Sequence, residues 1–259
     1  TPLERTKKVL NAGCDQFGGE SSPELIVELV KSGQISESRI NESVRRLLRD
    51  KFRLGLFDNP FVDVDYAVSL VGNDEFVQKG KLAQKKSTVL LKNENLLPLK
   101  EGIKIYVENI NPTVASRFGT VVNSFEAADV FITRLKTPYD ERSDYMLEAF
   151  FHQGRLYFNE AEKKKILRQV EQKPSVVGIT LERPAIITEI AEETESLLAD
   201  FGTEDEIFLE IVFGRFNPSG KLPFEIPSSQ EAVENQMEDL PYDSKDPLFP
   251  FGFGLRYDS

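Results

Sequence analysis

Apolar and polar positions recur along this chain in two rhythms. Up to residue 56 the rhythm is helical. Leu3, Val9 and Leu10 stand among charges and predict a short helix over 3–11. Ser22-Pro23 reads as an N-cap followed by proline at the first helical position, with Leu25, Ile26, Leu29 and Val30 at helical spacing until Gly33. Ser36 opens a third helix whose stripe is Ile40, Val44, Leu47 and Leu48, ending near Leu54-Gly55. Between the first two helices, AGCDQFGGE (12–20) is too short and glycine-rich for a helix. It reads as a short strand or turn running into an exposed loop. FDNPFVDV (57–64) contains Asn-Pro, cannot continue a helix and reads as a linker.

From residue 74 the rhythm changes. A helix over 74–87, with Phe76, Val77 and Leu82 facing inward, leads into apolar runs at 88–91, 103–107, 120–122, 129–135, 175–181 and 196–201. Helical segments at 113–118, 159–172, 188–195 and 204–213 separate the later runs, with Asn159 and Glu162 in capping-box spacing and Gly214 as a stop. Strands apolar throughout, alternating with helices, predict an α/β fold with a parallel sheet covered on both faces. Such a sheet carries its binding residues on loops at the carboxyl ends of its strands. Residues 219–259 are rich in Pro, Gly and Phe, lack periodicity and are expected to wrap over the other units.

Composition removes several classes of chemistry. The 259 residues are 40% apolar and 29% charged, as in a globular protein. No apolar run approaches the roughly 20 residues of a membrane span. A net charge of −11 argues against a nucleic-acid partner. Cys14 is the only cysteine and His152 the only histidine, so an internal disulfide and a multi-histidine metal site are excluded. Any Ser-His-Asp mechanism would have to use His152. Carboxylates are left as the carriers of chemistry, with no cofactor. The chain starts at Thr1 inside a helical pattern, without Met or signal-peptide pattern, and reads as a piece of something longer whose compartment is unspecified.

One stretch concentrates those carboxylates. Val130-Phe131-Ile132 reads as a buried strand that breaks at Thr137-Pro138 into a loop carrying Asp140, Glu141, Arg142 and Asp144. Its position past a strand end suits a functional site. A solvated loop with surface ion pairs, Glu141 with Arg142 or a lysine, is the alternative.

An ordered set of motifs narrows the choice. It runs from Ala12-Gly13-Cys14-Asp15 and the helix pair with Arg39-Ile40-Asn41 and Arg45-Arg46-Leu47-Leu48 to Leu54-Gly55-Leu56-Phe57-Asp58. It continues with Val89-Leu90-Leu91-Lys92-Asn93, Leu96-Leu97-Pro98-Leu99 and Phe213-Gly214-Arg215. Asn217-Pro218-Ser219-Gly220-Lys221-Leu222-Pro223 and the run Pro247–Leu255 close it. Together these resemble glycoside hydrolase family 3, the group of β-glucosidases, β-xylosidases and related exo-acting enzymes. The resemblance covers nearly the whole chain and is weakest in the middle.

The resemblance implies a TIM barrel followed by a flavodoxin-like α/β sandwich domain. Residues 1–56 would be the end of the barrel, with AGCDQFGGE as its eighth strand and loop. Residues 57–73 would be a linker, 74–228 the sandwich domain and 229–259 a tail packed on it. The family's nucleophile, an Asp in a Ser-Asp-Trp-type motif, would lie upstream, since this chain has neither that motif nor any Trp. The implied function is the C-terminal part of an exo-acting retaining β-glycosidase (β-glucosidase-like) that contributes the acid/base loop. Its partners would be an oligosaccharide or β-glycoside substrate and the N-terminal barrel portion of the same enzyme.

Retention needs a nucleophile and a proton donor about 5–5.5 Å apart. By the resemblance the donor sits in TPYDERSD, on Glu141, with Asp140 as the alternative. Glu148, Glu160 or a carboxylate outside the chain remain open, because the family's Gly-Glu-Gly followed by Asp-Arg is absent here. Arg142, Gln16, Phe17 and Glu20 are candidate substrate contacts, the last three because loops after barrel strands line active sites. Tyr139 could stack on a sugar, and His152, among phenylalanines, reads as a buried, hydrogen-bonded histidine. Asn217–Pro223 and PLFPFGFG read as turn and packing chemistry. The second class of function is a non-catalytic flavodoxin-like module that binds carbohydrate or acts as a scaffold.

Overall fold

A computed structural model describes residues 1–19, 21–144, 146 and 148–257. It forms two compact units, Thr1–Asn73 and Asp74–Ser259.

The first unit is helical: α1 (Pro2–Asn11), α2 (Pro23–Lys31), α3 (Glu37–Arg53) and α4 (Val64–Leu70). Pro23 starts α2, and Gly33, at φ +71°, lets the chain leave it. The Ser36 hydroxyl accepts the Arg39 N–H at 3.2 Å and caps α3. A small core of Leu10, Leu29 and Ile35 gathers Leu3, Phe17, Ile26, Val30 and Ile40. Two expectations change. Val44 and Leu48, drawn into the α3 stripe, are exposed. Residues 12–19 form no strand, because the described residues of this unit offer no strand to pair with and the Cys14 N–H turns back to Val9 O at 3.3 Å. Within 57–73, Asp63 caps α4 by accepting the Tyr66 N–H.

The second unit is a six-stranded sheet with helices on both faces. Its elements are α5 (Asp74–Ser87), β1 (Val89–Asn93), β2 (Lys104–Glu108), α6 (Pro112–Ala115), β3 (Thr120–Val121), β4 (Val130–Lys136), α7 (Glu160–Val170), β5 (Ser175–Thr180), α8 (Thr188–Glu193), β6 (Ser196–Asp200), α9 (Asp205–Val212) and α10 (Gln230–Glu234). The strand order is β1-β6-β5-β4-β2-β3. From β3 to β6 all pairs are parallel, in the flavodoxin-like order. Alternation on β4 splits the core: Phe131 faces α7 and α8, while Val130 and Ile132 face α6 and α9.

Three details depart from the sequence reading. Edge strand β1 runs antiparallel to β6, so the sheet is mixed. It leaves through a tight turn that the Asn93 side chain closes on Leu97, with no crossover helix to return it in parallel. Phe76, Val77 and Leu82 of α5 are exposed. That helix meets α9 through its polar side, Lys81 pairing with Glu206 at 3.1 Å and Gln84 bonding Glu204 at 3.2 Å. The tail does wrap, but it also forms α10. It covers the sheet edge where Leu255 N–H donates to Leu90 O at 2.8 Å, and it places Leu222, Ile226 and Phe249 in the core.

Candidate functional site

The longest excursion at the carboxyl edge of the sheet is the loop over 137–159, between β4 and α7. Its neck is tightly fastened. Thr137 Oγ1 donates to Thr180 O at the end of β5, at 2.9 Å. The Asp140 N–H donates to Gln153 O at 2.8 Å, closing the loop on itself. The Asp140 carboxylate accepts the Arg155 N–H at 2.9 Å through Oδ2 and Arg155 Nη1 at 3.4 Å through Oδ1. Gly154, at φ +77°, lies against this carboxylate. A Cβ there would stand 2.0 Å from Asp140 Oδ2, so only glycine fits.

Two consecutive residues after β5 hold the same neck. Arg183 Nη2 donates to the carbonyls of Pro138, Gln153 and Arg155 at 2.8, 3.1 and 2.6 Å, and its Nη1 to Gly154 O at 3.2 Å. Glu182 accepts a hydrogen bond from His152 Nδ1. The His152 ring stacks on Tyr139, centroids 3.7 Å apart and planes 14° from parallel. His152 is therefore hydrogen-bonded as expected but exposed, since Phe150 and Phe151 turn outward instead of enclosing it. One face of Tyr139 is occupied by His152.

The sequence candidates on this loop divide sharply. Asp140 is engaged by Arg155. Glu141 and Arg142 are exposed, and neither makes a hydrogen bond or ion pair with another described residue, so the Glu141–Arg142 pair does not form. Glu141 lines a cleft of about 530 Å³ with Tyr139, Lys136, Arg155 and Glu162. Glu160 is committed to the first turn of α7, paired with Lys163 at 3.1 Å. Glu148 lies on a single 3₁₀ turn, Glu148–Phe150.

The remaining candidates belong to the first unit. Gln16 is exposed. Phe17 is half-buried and lines a cavity of about 170 Å³ with Thr6, Pro23 and Ile26. Glu20 lies outside the described residues. Beside them, Asp15 accepts hydrogen bonds from Ser43 Oγ at 2.7 Å and Arg46 Nη1 at 3.0 Å. The Ser43 hydroxyl, helped by Arg46 and Arg39, holds its carboxyl below the usual aspartate range.

Sequence reasoning missed a second polar cluster at the strand ends. Arg134 Nη2 donates to Asp200 Oδ2 at 2.9 Å and to Thr203 O at 2.8 Å, and Nη1 donates to Asp205 Oδ1 at 2.8 Å. Asp200 Oδ1 also accepts the N–H groups of Gly202 and Thr203, both at 3.0 Å. One guanidinium is shared by two carboxylates and Asp200 takes two backbone N–H groups, so the cluster's side chains are spent on holding the fold. The signal was a charged residue next to an apolar run, Arg134 within β4 and Asp200 closing β6. Among the described residues no three His, Cys, Asp or Glu are grouped to hold a metal ion.

Comparisons with known proteins give this geometry a setting. The glycosyl hydrolase family 3 C-terminal domain matches residues 110–257. The chain is 50% identical to the probable beta-glucosidase C of Aspergillus flavus, over 99% of its own length and 41% of that protein. It is 41% identical to the periplasmic beta-glucosidase/beta-xylosidase of Dickeya chrysanthemi, over 99% of itself and 40% of that protein. A crystal structure of the β-glucosidase from Listeria innocua in complex with gluconolactone shares the fold, with a TM-score of 0.69 at 23% identity, covering 99% of this chain and 44% of that one. The chain thus spans about two fifths of the length of these relatives.

Proposed function

Because this chain belongs to glycosyl hydrolase family 3, whose C-terminal domain it carries, we propose that it is part of an exo-acting, retaining β-glucosidase-like enzyme in which Glu141 is the proton donor. The single observation that carries the assignment is the contrast between neighbours. Asp140 spends its carboxylate on Arg155, whereas Glu141 lines the cleft with no hydrogen bond or ion pair to another described residue. In this reading the nucleophilic Asp belongs to a barrel portion outside these 259 residues, and 1–56 complete that barrel. The exposed apolar side chains of α3 support a missing neighbour, since Val44 and Leu48 stay exposed and Phe52 remains so even against the Phe57 ring.

The chemistry then needs two steps. Glu141 protonates the glycosidic oxygen as the upstream carboxylate attacks the anomeric carbon, and the aglycone leaves. As a carboxylate, Glu141 next takes a proton from the water that releases the sugar. Gln16, Phe17, Glu20 and Arg142 are proposed sugar contacts.

The test uses the polypeptide at the length of its relatives and aryl β-glucosides of graded leaving-group ability. Glu141→Ala should slow poor leaving groups by about 10²–10⁴-fold and good ones far less, and azide should restore turnover as glycosyl azide. Asp140→Ala should show no azide rescue. Unchanged rates on poor leaving groups in Glu141→Ala would reject the assignment.

A further inference from the structure

We infer that Arg183 and Glu182 are positioning residues for the proton donor, holding the 137–159 loop so that Glu141 keeps one place over the cleft. This rests on the reading of Glu141 above and extends it to a different connection of the sheet. Three observations carry it. First, four main-chain carbonyls from both limbs of the neck, those of Pro138, Gln153, Gly154 and Arg155, converge on one guanidinium. A planar fork of donors can satisfy such a cluster where an ammonium cannot. Second, Glu182 anchors His152, and His152 covers Tyr139, the residue two before Glu141. Third, the neck holds a contact that no side chain tolerates, the Asp140 carboxylate on Gly154.

The consequence is mechanical. The β5–α8 connection is anchored at the end of a strand buried from Ser175 to Ile179. Arg183 and Glu182 transmit that rigidity to a loop whose regular structure, among the described residues, is the single turn Glu148–Phe150. Without their side chains the neck would keep the Asp140–Arg155, Asp140–Gln153 and Thr137–Thr180 bonds but lose the guanidinium that joins its two limbs to the β5–α8 connection. The donor would then sample positions an ångström or more apart, enough to cost about 100-fold in rate.

Arg183→Ala in the polypeptide at the length of its relatives should lower kcat on poor leaving groups by about 100-fold with KM little changed. Activated dinitrophenyl substrates, whose departure needs no proton, should keep their kcat/KM. Arg183→Lys should recover little, and Arg183→Ala should add no further loss to Glu141→Gln. A normal kcat for Arg183→Ala, or a full multiplicative loss on top of Glu141→Gln, would overturn the inference. A normal rate for Glu141→Gln would overturn the donor assignment itself. Hydrogen exchange reads the fastening separately, without turnover. The amides of Asp140 and Arg155 should lose protection in Arg183→Ala while those of β4 keep theirs, and retained protection at both would refute the fastening.

Discussion

Arg134 reaches from β4 across β5 to bond Asp200 at the end of β6, with 2.9 Å between Nη2 and Oδ2 and Asp200 only 1% exposed. The pair is completed by Asp205, Thr203 O and two backbone N–H groups. Removing the Asp200 carboxylate leaves Arg134 with Asp205 alone and strands the N–H groups of Gly202 and Thr203 beside a buried position. Asp200→Ala should therefore cost about 3–5 kcal/mol, read from urea unfolding of the chain. Asp200→Asn, which can still accept from Gly202 and Thr203, should cost less. Equal losses for the two variants would show that charge compensation is not what the site supplies.

Gly178 on β5 makes that crossing possible. A Cβ at this position would lie 2.7 Å from the Phe208 ring and 3.3 Å from Arg134 Cγ. The Arg134 guanidinium rests 5.2 Å from the centroid of the same ring. Gly178→Ala should push both side chains off their positions and cost roughly 1–3 kcal/mol. Near-wild-type stability would mean the two side chains can separate without loss.

The contrast between these positions and the strands around them shows what the sequence could convey. The strands were legible because each is an apolar run bounded by turn residues, and α7 because Asn159 and Glu162 sit in capping-box spacing that forms as read. Those signals are local. Arg183, Gly154 and Asp200 were not legible, because their partners lie far along the chain: Arg183 meets Pro138 at a separation of 45 residues and Arg134 meets Asp200 at 66. The antiparallel β1 was hidden for a similar reason, since an apolar strand reads alike in either direction. The loop itself was found from the sequence, but the division of labour proposed within it was not. Adjacent acidic residues are indistinguishable until one of them is seen to be bound. The stripe of α3 failed at Val44 and Leu48, and the inward face given to α5 failed too, because a helical stripe states that some surface will cover it, not which one.

Asp15 offers a test of the first unit through acid. Its carboxyl is held below the ordinary value chiefly by the Ser43 hydroxyl, with Arg46 and Arg39 contributing. A depressed carboxyl stabilises the fold above its unfolded value of about 3.9 and loses that contribution as pH falls through the lower folded value. Ser43→Ala should move the Asp15 titration upward, with acid unfolding of this unit beginning at higher pH. Carboxyl NMR shifts of Asp15 in the two proteins would decide, and superimposable curves would remove Ser43 as the cause.

Tyr257 makes the opposite prediction at alkaline pH. Its hydroxyl donates to Ile211 O on α9 while Asn217 Oδ1 accepts its N–H at 3.3 Å, so the tail is pinned to the sheet's second face. Burial pushes the phenol well above its usual value. Once pH passes about 10, the unfolded chain gives up this proton while the folded chain keeps it. The native state then binds more protons than the unfolded one, so stability must fall as pH rises. Tyr257→Phe removes both the hydrogen bond and the titration. At neutral pH the variant should be less stable by about 0.5–1.5 kcal/mol, the net worth of one hydrogen bond. That deficit should shrink above about pH 10, because only the wild-type chain carries the ionising group. Urea midpoints of both proteins at neutral, mildly alkaline and strongly alkaline pH measure the difference directly. A deficit that stays constant through the series would mean that the Tyr257 phenol ionises as readily in the fold as out of it.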